Sequence, residues 1–355
     1  MAFIKYQVAS GISKLSSNIN LVWEDIKDIL EGTITTASGF NSSVCNTAGS
    51  VFRGTVPTSY YSSVTKNTNT SSSSDNTLTF LKKHSDMTAY RKFYIYDTVS
   101  GTYDLRCRMA NASSSNFAPT SSINHYSLST SSSFLYDLQW HQSPIIHMWI
   151  SDSIFLIQFI QGAGLDEEYS VGMFDLPASD YDTYAYSSDS DTCPTICIAN
   201  YCTGGTFNTA SASSANNNQF LVTNSTYLGP NDVVQSTTTA GSSQSDLSTW
   251  SDTSNVIAIY PPAVGNIRAL PLATGSAHQR IPCYTAPMQG GSGNFAVNAR
   301  LKDFYRTSDD FASSGTLVSY DGVEYAVYMS HKTGGATYTD TAATENSCYL
   351  IPTGA

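Results

Sequence analysis

The chain has 355 residues and a net charge of −11, and only 13% of its residues are charged, against roughly a quarter in ordinary soluble domains. Seventeen basic residues spread along an acidic chain argue against nucleic acid, whose phosphates need clustered Lys and Arg, and equally against an anionic membrane surface. Ser, Thr, Asn and Tyr take the place of the missing charges and favour strands and turns over helices.

At the N-terminus, Val8, Ile12, Leu15, Ile19, Val22, Ile26 and Ile29 recur at alternating steps of 4 and 3, a heptad seam that Trp23 and Leu30 widen. The spacing predicts an amphipathic helix within residues 1–32, with Gly32 as its C-terminal stop. Ser16, Ser17, Asn18 and Asn20 weaken the intrinsic propensity, so packing must hold it. The seam residues Val8, Ile12, Leu15, Ile19, Val22, Trp23, Ile26 and Ile29 are therefore candidates for an assembly interface. On that reading, Leu15→Asp or Ile19→Asp leaves the rest of the chain folded while blocking assembly.

Beyond Gly32 the period shortens. Thr77–Leu81, Arg91–Tyr96 and Tyr103–Met109 read as strands, the last two joined by a turn over Asp97–Gly101. Ile145–Ile150 and Ile154–Ile160 form a hairpin around Ser151-Asp152-Ser153 that is apolar on both faces, which places it in a core. The same run is too short and too polar to span a bilayer. Tyr169–Phe174, Thr195–Tyr201, Val256–Tyr260, Phe295–Leu301, Leu317–Ser319 and Val323–Met329 continue the pattern, with Asp321-Gly322 as a tight turn. The low-complexity stretches Tyr60–Asn76, Asn111–Ser133 and Gly204–Asn218 read as long surface loops or subunit-bridging segments. The expected fold is mainly β: an antiparallel sandwich-like body with an N-terminal α-helix and long Ser/Thr/Asn-rich loops. Its divisions are residues 1–32, a first β-rich region 33–230, a polar linker or loop 231–252, and a second β-rich region 253–355, separate or part of the same domain.

Catalytic and metal signatures are weak. Ser63-Val64-Thr65-Lys66, Ser74-Asp75-Asn76 and Lys332-Thr333-Gly334 match the three motifs of penicillin-binding enzymes, but the first two lie eleven residues apart, with no room for the helical domain that chemistry needs. Cys193, Cys197 and Cys202 lack a nearby fourth ligand, so buried free thiols are the better account than zinc. Asp180, Asp182, Asp189 and Asp191 match no calcium-loop template. Met1–Tyr6 is too short for a secretory signal, and the odd set of seven cysteines suits synthesis in a reducing cytoplasm. No catalytic residue, cofactor or metal is expected.

Several segments, in order, carry a family likeness. They are Val22–Ile26 with Leu30–Gly32, Arg91–Tyr96, Met148–Ile150 with Phe155–Ile157, Tyr169–Pro177, Asn266–Leu272 and Asp321–Val327. The arrangement resembles structural proteins of tailed-bacteriophage virions, found among tail and baseplate components. The resemblance implies a virion protein without enzymatic activity, made in the host cytoplasm, whose partners are other virion proteins and copies of itself, with neither nucleic acid nor membrane bound. The main rival is a host-receptor or polysaccharide-binding module of the tail, with Tyr181, Tyr184 and Tyr186 as partner or glycan contacts. A capsid decoration protein or a wall-degrading enzyme ranks lower.

Overall fold

A computed structural model of the chain describes residues 1–12, 17–67, 76–85, 90–98, 104–112, 126–127, 140–160, 168–175, 181–182, 195–202, 218–223, 234–238, 259–260, 280–285, 298–307, 311, 313–329 and 348–355. Among these residues the protein is mostly strand, with all pairings antiparallel and a single α-helix, α1 (Ser17–Glu31).

Strands are numbered along the chain. The first sheet holds β1 (Ala2–Gln7), β2 (Val51–Gly54), β8 (Ile145–Ile150), β9 (Ile154–Ile160), β10 (Glu168–Asp175), β12 (Thr195–Cys202), β13 (Asn218–Thr223) and β14 (Val234–Thr238). Their order is β14-β13-β12-β10-β9-β8-β1-β2. The second sheet runs in sequence order through β3 (Tyr61–Asn67), β4 (Asn76–Lys82), β5 (Tyr90–Thr98), β6 (Asp104–Ala112) and β7 (Tyr126–Ser127). The third contains β15 (Ile259–Tyr260), β16 (Arg280–Thr285), β17 (Asn298–Thr307), β18 (Leu317–Tyr320), β19 (Val323–Met329) and β20 (Cys348–Pro352), ordered β15-β16-β17-β20-β19-β18, with β11 (Tyr181–Asp182) also on β17.

The first sheet is a middle layer, because its central strands are apolar on both sides. Ala2, Ile4 and Tyr6 of β1, Ile146, Met148 and Ile150 of β8, and Phe155, Ile157 and Phe159 of β9 share one face with α1 and the start of the second sheet. There Trp23 meets Trp140 and Phe159 edge-on, and Phe80 of β4 meets Phe155 at 4.7 Å. Phe3, Trp149 and Phe174 project from the other face. Trp149 packs on Tyr328 at 5.4 Å and Phe174 on Phe304 at 4.9 Å, both partners from the third sheet. The β8–β9 hairpin thus has the bounds and the two-sided burial its sequence predicts. Asp321 and Gly322, both at positive φ (51° and 77°), make the tight β18–β19 turn.

Three expectations need correction. Residues 2–7 are strand, not helix, and Val8 forms a bridge with Cys45 rather than opening the seam. Gly11, at φ +76°, separates this strand from α1, so the four-residue step from Val8 to Ile12 is not a helical one. The helix does end as read. Gly32 sits at φ +76°, its N–H donates to Ile29 at 3.1 Å, and Thr33 N–H donates to Asp28 at 2.9 Å, the two bonds of a Schellman cap.

Second, the helical seam is not an available interface. Ile12, Ile19, Val22, Trp23, Ile26 and Ile29 are all buried in the core of this same chain. The outward face of α1 is polar, with Lys27 paired to Glu31 at 2.7 Å and lying 3.6 Å from Glu24. A stripe this wide suits a core-facing helix better than a two-in-seven coiled-coil seam. Leu15 lies outside the described residues.

Third, part of the polar tract is strand. Tyr61–Asn67, within the stretch read as a loop, is β3, and Tyr61 and Val64 are buried. Val234–Thr238, within the supposed linker 231–252, is the outer strand β14. Thr and Ser are at home on strands, so a hydroxyl-rich composition does not separate loop from sheet.

Candidate functional site

The three sheets meet at the tip of the β8–β9 hairpin, and buried polar groups converge there. Ser151 makes the turn. Its hydroxyl accepts from the N–H groups of Ser153 (3.1 Å) and Ile154 (2.8 Å), and its own N–H donates to the Ile154 carbonyl at 2.7 Å. Asp175, the last residue of β10, donates its N–H to the Ser153 carbonyl at 2.8 Å. From β3, the Tyr61 hydroxyl donates to the Ser151 carbonyl at 2.7 Å, with the Ile154 carbonyl at 3.0 Å.

Lys82, the last residue of β4, enters this cluster. Its Nζ donates to the Asp152 carbonyl and to Asp175 Oδ2, and both side chains of the pair are fully buried. The ammonium also lies 5.8 Å from the centroid of the Tyr61 ring. At the rim, Lys302 of β17 donates to Asp152 Oδ2 at 3.0 Å, with both partners partly exposed. Burial pushes the Tyr61 phenol well above its ordinary range, and the nearby Asp175 and Asp152 carboxylates push the same way. Burial also tends to raise Asp152, but the hydrogen bond and charge of Lys302 outweigh it and leave this carboxyl below its usual value.

The pair was legible in part. Period two places Lys82 in phase with the buried Leu78 and Phe80, and Asp175 in phase with Met173. A charge closing an apolar strand face, twice, is a signal that periodicity alone could have found. What the one-dimensional pattern does not reveal is that the two strand ends meet.

A second network anchors α1. Tyr6 of β1 donates its hydroxyl to Asp25 Oδ2 at 2.7 Å, and the Asn41 N–H reaches the same carboxylate at 3.0 and 3.2 Å. Burial raises the Asp25 carboxyl above its ordinary range against the pull of these bonds. Asp25→Ala leaves the Tyr6 hydroxyl and the Asn41 N–H without this acceptor, a loss of about 1–3 kcal/mol for each stranded group. Urea unfolding should show a lower midpoint with an unchanged slope; an unaltered midpoint would mean the carboxylate does not hold the helix.

His147 of β8 lies opposite Gln158 of β9, between the first and third sheets, with Nδ1 3.4 Å from Gln158 Oε1. The positive-φ Gly315 approaches so closely that a Cβ there would stand 2.3 Å from Nε2. Burial lowers the imidazole pKa from 6.5 to about 3. The unfolded chain therefore binds the proton that the folded one refuses, and stability present above about pH 6.5 is lost as pH falls toward 3. The slope is at most about 1.4 kcal/mol per pH unit. His147→Gln should flatten that part of a pH–stability curve; an equally steep curve would assign the acid sensitivity elsewhere.

The remaining sequence candidates scatter. Tyr181 lies on β11, in register with Ala299 of β17, whereas Tyr184 and Tyr186 lie outside the described residues. Ser63–Lys66 belongs to strand β3, not to the helical turn a Ser-x-x-Lys catalyst requires. Cys197 and Cys202 fall on β12, and Cys193 lies outside the described residues. Cys45 is a buried free thiol with its pKa raised by burial to about 11, and Cys283 is buried. Among the described residues, no group of three or more His, Cys, Asp or Glu could hold a metal ion, and no helix is long and apolar enough to cross a membrane.

The chain matches no protein-family model, and no curated protein matches its sequence.

Proposed function

We propose that this protein is a structural component of a bacteriophage particle, in the tail, baseplate or an adjoining ring, and that it works by assembly with other virion proteins and copies of itself. The reading is carried by the order of the phage-like segments. Met148–Ile150 and Phe155–Ile157 belong to β8 and β9, Tyr169–Phe174 to β10, and Asp321–Val327 spans the β18–β19 turn. These segments lie on strands and Val22–Ile26 on α1, whereas Asn266–Leu272 lies outside the described residues. The low charged fraction supports it, because charges are the groups most costly to desolvate and interface cores are depleted of them.

With the apolar stripe of α1 buried, assembly contacts fall to the outer faces and edges of the β-body. Cryo-EM of intact particles tests the reading directly. Density for this chain in a tail or baseplate ring is the expected result. Purified infectious particles that lack the chain, while the lysate contains it, would overturn it.

A further inference from the structure

We propose that Lys82 and Asp175 become joined by an intramolecular amide bond that staples the second sheet to the first. The pair closes two strands 93 residues apart, β4 and β10, and both side chains are completely buried. Phe80, Phe155 and Tyr61 pack together, and the Lys82 ammonium lies 5.8 Å from the Tyr61 ring centroid. The inference does not depend on the assembly role proposed above.

The chemistry follows from the setting. Two opposite charges in a dry site carry a desolvation cost that their attraction only partly offsets. Passing one proton from the Lys82 ammonium to the Asp175 carboxylate removes both charges. It leaves a neutral amine, a nucleophile, against a neutral acid, an electrophile. The Asp152 carbonyl accepts an N–H from Lys82 and so steers Nζ within the cluster. The Nζ lone pair attacks Cγ of Asp175, one Nζ proton moves to the departing hydroxyl, and the C–O bond breaks. Ammonium plus carboxylate becomes amide plus one water, with no oxidant, reductant or further reactant. Groups fixed this way react at effective molarities of order 10⁵–10⁸ M.

A Lys–Asp pair kept only as ions is the competing description, and mass separates the two. The intact full-length protein should weigh one water less than its sequence. Trypsin should fail to cut after Lys82 and should release a branched peptide containing Lys82 and Asp175. Lys82→Arg keeps the cation, cannot form this bond, and should return the mass to the sequence value. A folded wild-type chain at full sequence mass, with Lys82 and Asp175 recovered in separate linear peptides, would overturn the proposal. The wild-type peptide map decides the matter even if the Arg variant does not fold.

Discussion

Ile26→Asp should abolish stable folding. Ile26, on α1, is fully buried in the core shared by the helix and the strands. Removing it forfeits about 1.5–3 kcal/mol of apolar burial. Placing an unpaired carboxylate there adds several kcal/mol, or forces the group to stay protonated. Together these rival the whole 5–15 kcal/mol of net stability of roughly this class of protein. Circular dichroism at neutral pH should show loss of the cooperative strand signal, whereas Glu24→Ala on the outward face should change stability by no more than about 0.5 kcal/mol. Had the helical stripe served a partner, the acidic variant would fold normally and fail only in assembly, so a wild-type melting curve for Ile26→Asp would restore that earlier expectation.

Lys82→Ala should cost about 3–5 kcal/mol, because it removes the cation that faces the buried Asp175 carboxylate. The comparison that isolates the cause is Lys82→Met combined with Asp175→Leu. Both ionisable side chains then go, volume is roughly kept, and the double variant should be more stable than the single one. Lys302→Ala, which removes a partly exposed cation from the same cluster, should cost no more than about 1 kcal/mol. If the single and double variants melt together, the burial argument for the pair fails.

The sequence made different parts of this structure legible for different physical reasons. The β8–β9 hairpin could be read to the residue, because an apolar run broken by Ser151-Asp152-Ser153 leaves one place to turn. The C-terminus of α1 was fixed by Gly32, whose positive φ few other residues accept. The start of the same helix was misread, because Val8 and Ile12 happen to stand a helical step apart although Gly11 turns the chain between them. Strands β3 and β14 were hidden by composition, since Ser and Thr serve loops and sheets alike. The buried networks depend on pairing across the chain. Tyr6 reaches Asp25, and Lys82 reaches Asp175, only once distant strands are in register.

The position of β1 bears on how the protein is made. This strand lies between β2 and β8, and its pairing with β8 joins Ala2–Gln7 to Ile145–Ile150. On a ribosome adding about 5–20 residues per second, β1 waits on the order of ten to thirty seconds before β8 has been synthesised. Until then Phe3, Ile4 and Tyr6, all destined for full burial, have only the four-residue β2 beside them. Translation speed and chaperone access to residues 2–7 should therefore influence yield, and slowing elongation before residue 150 should increase aggregation.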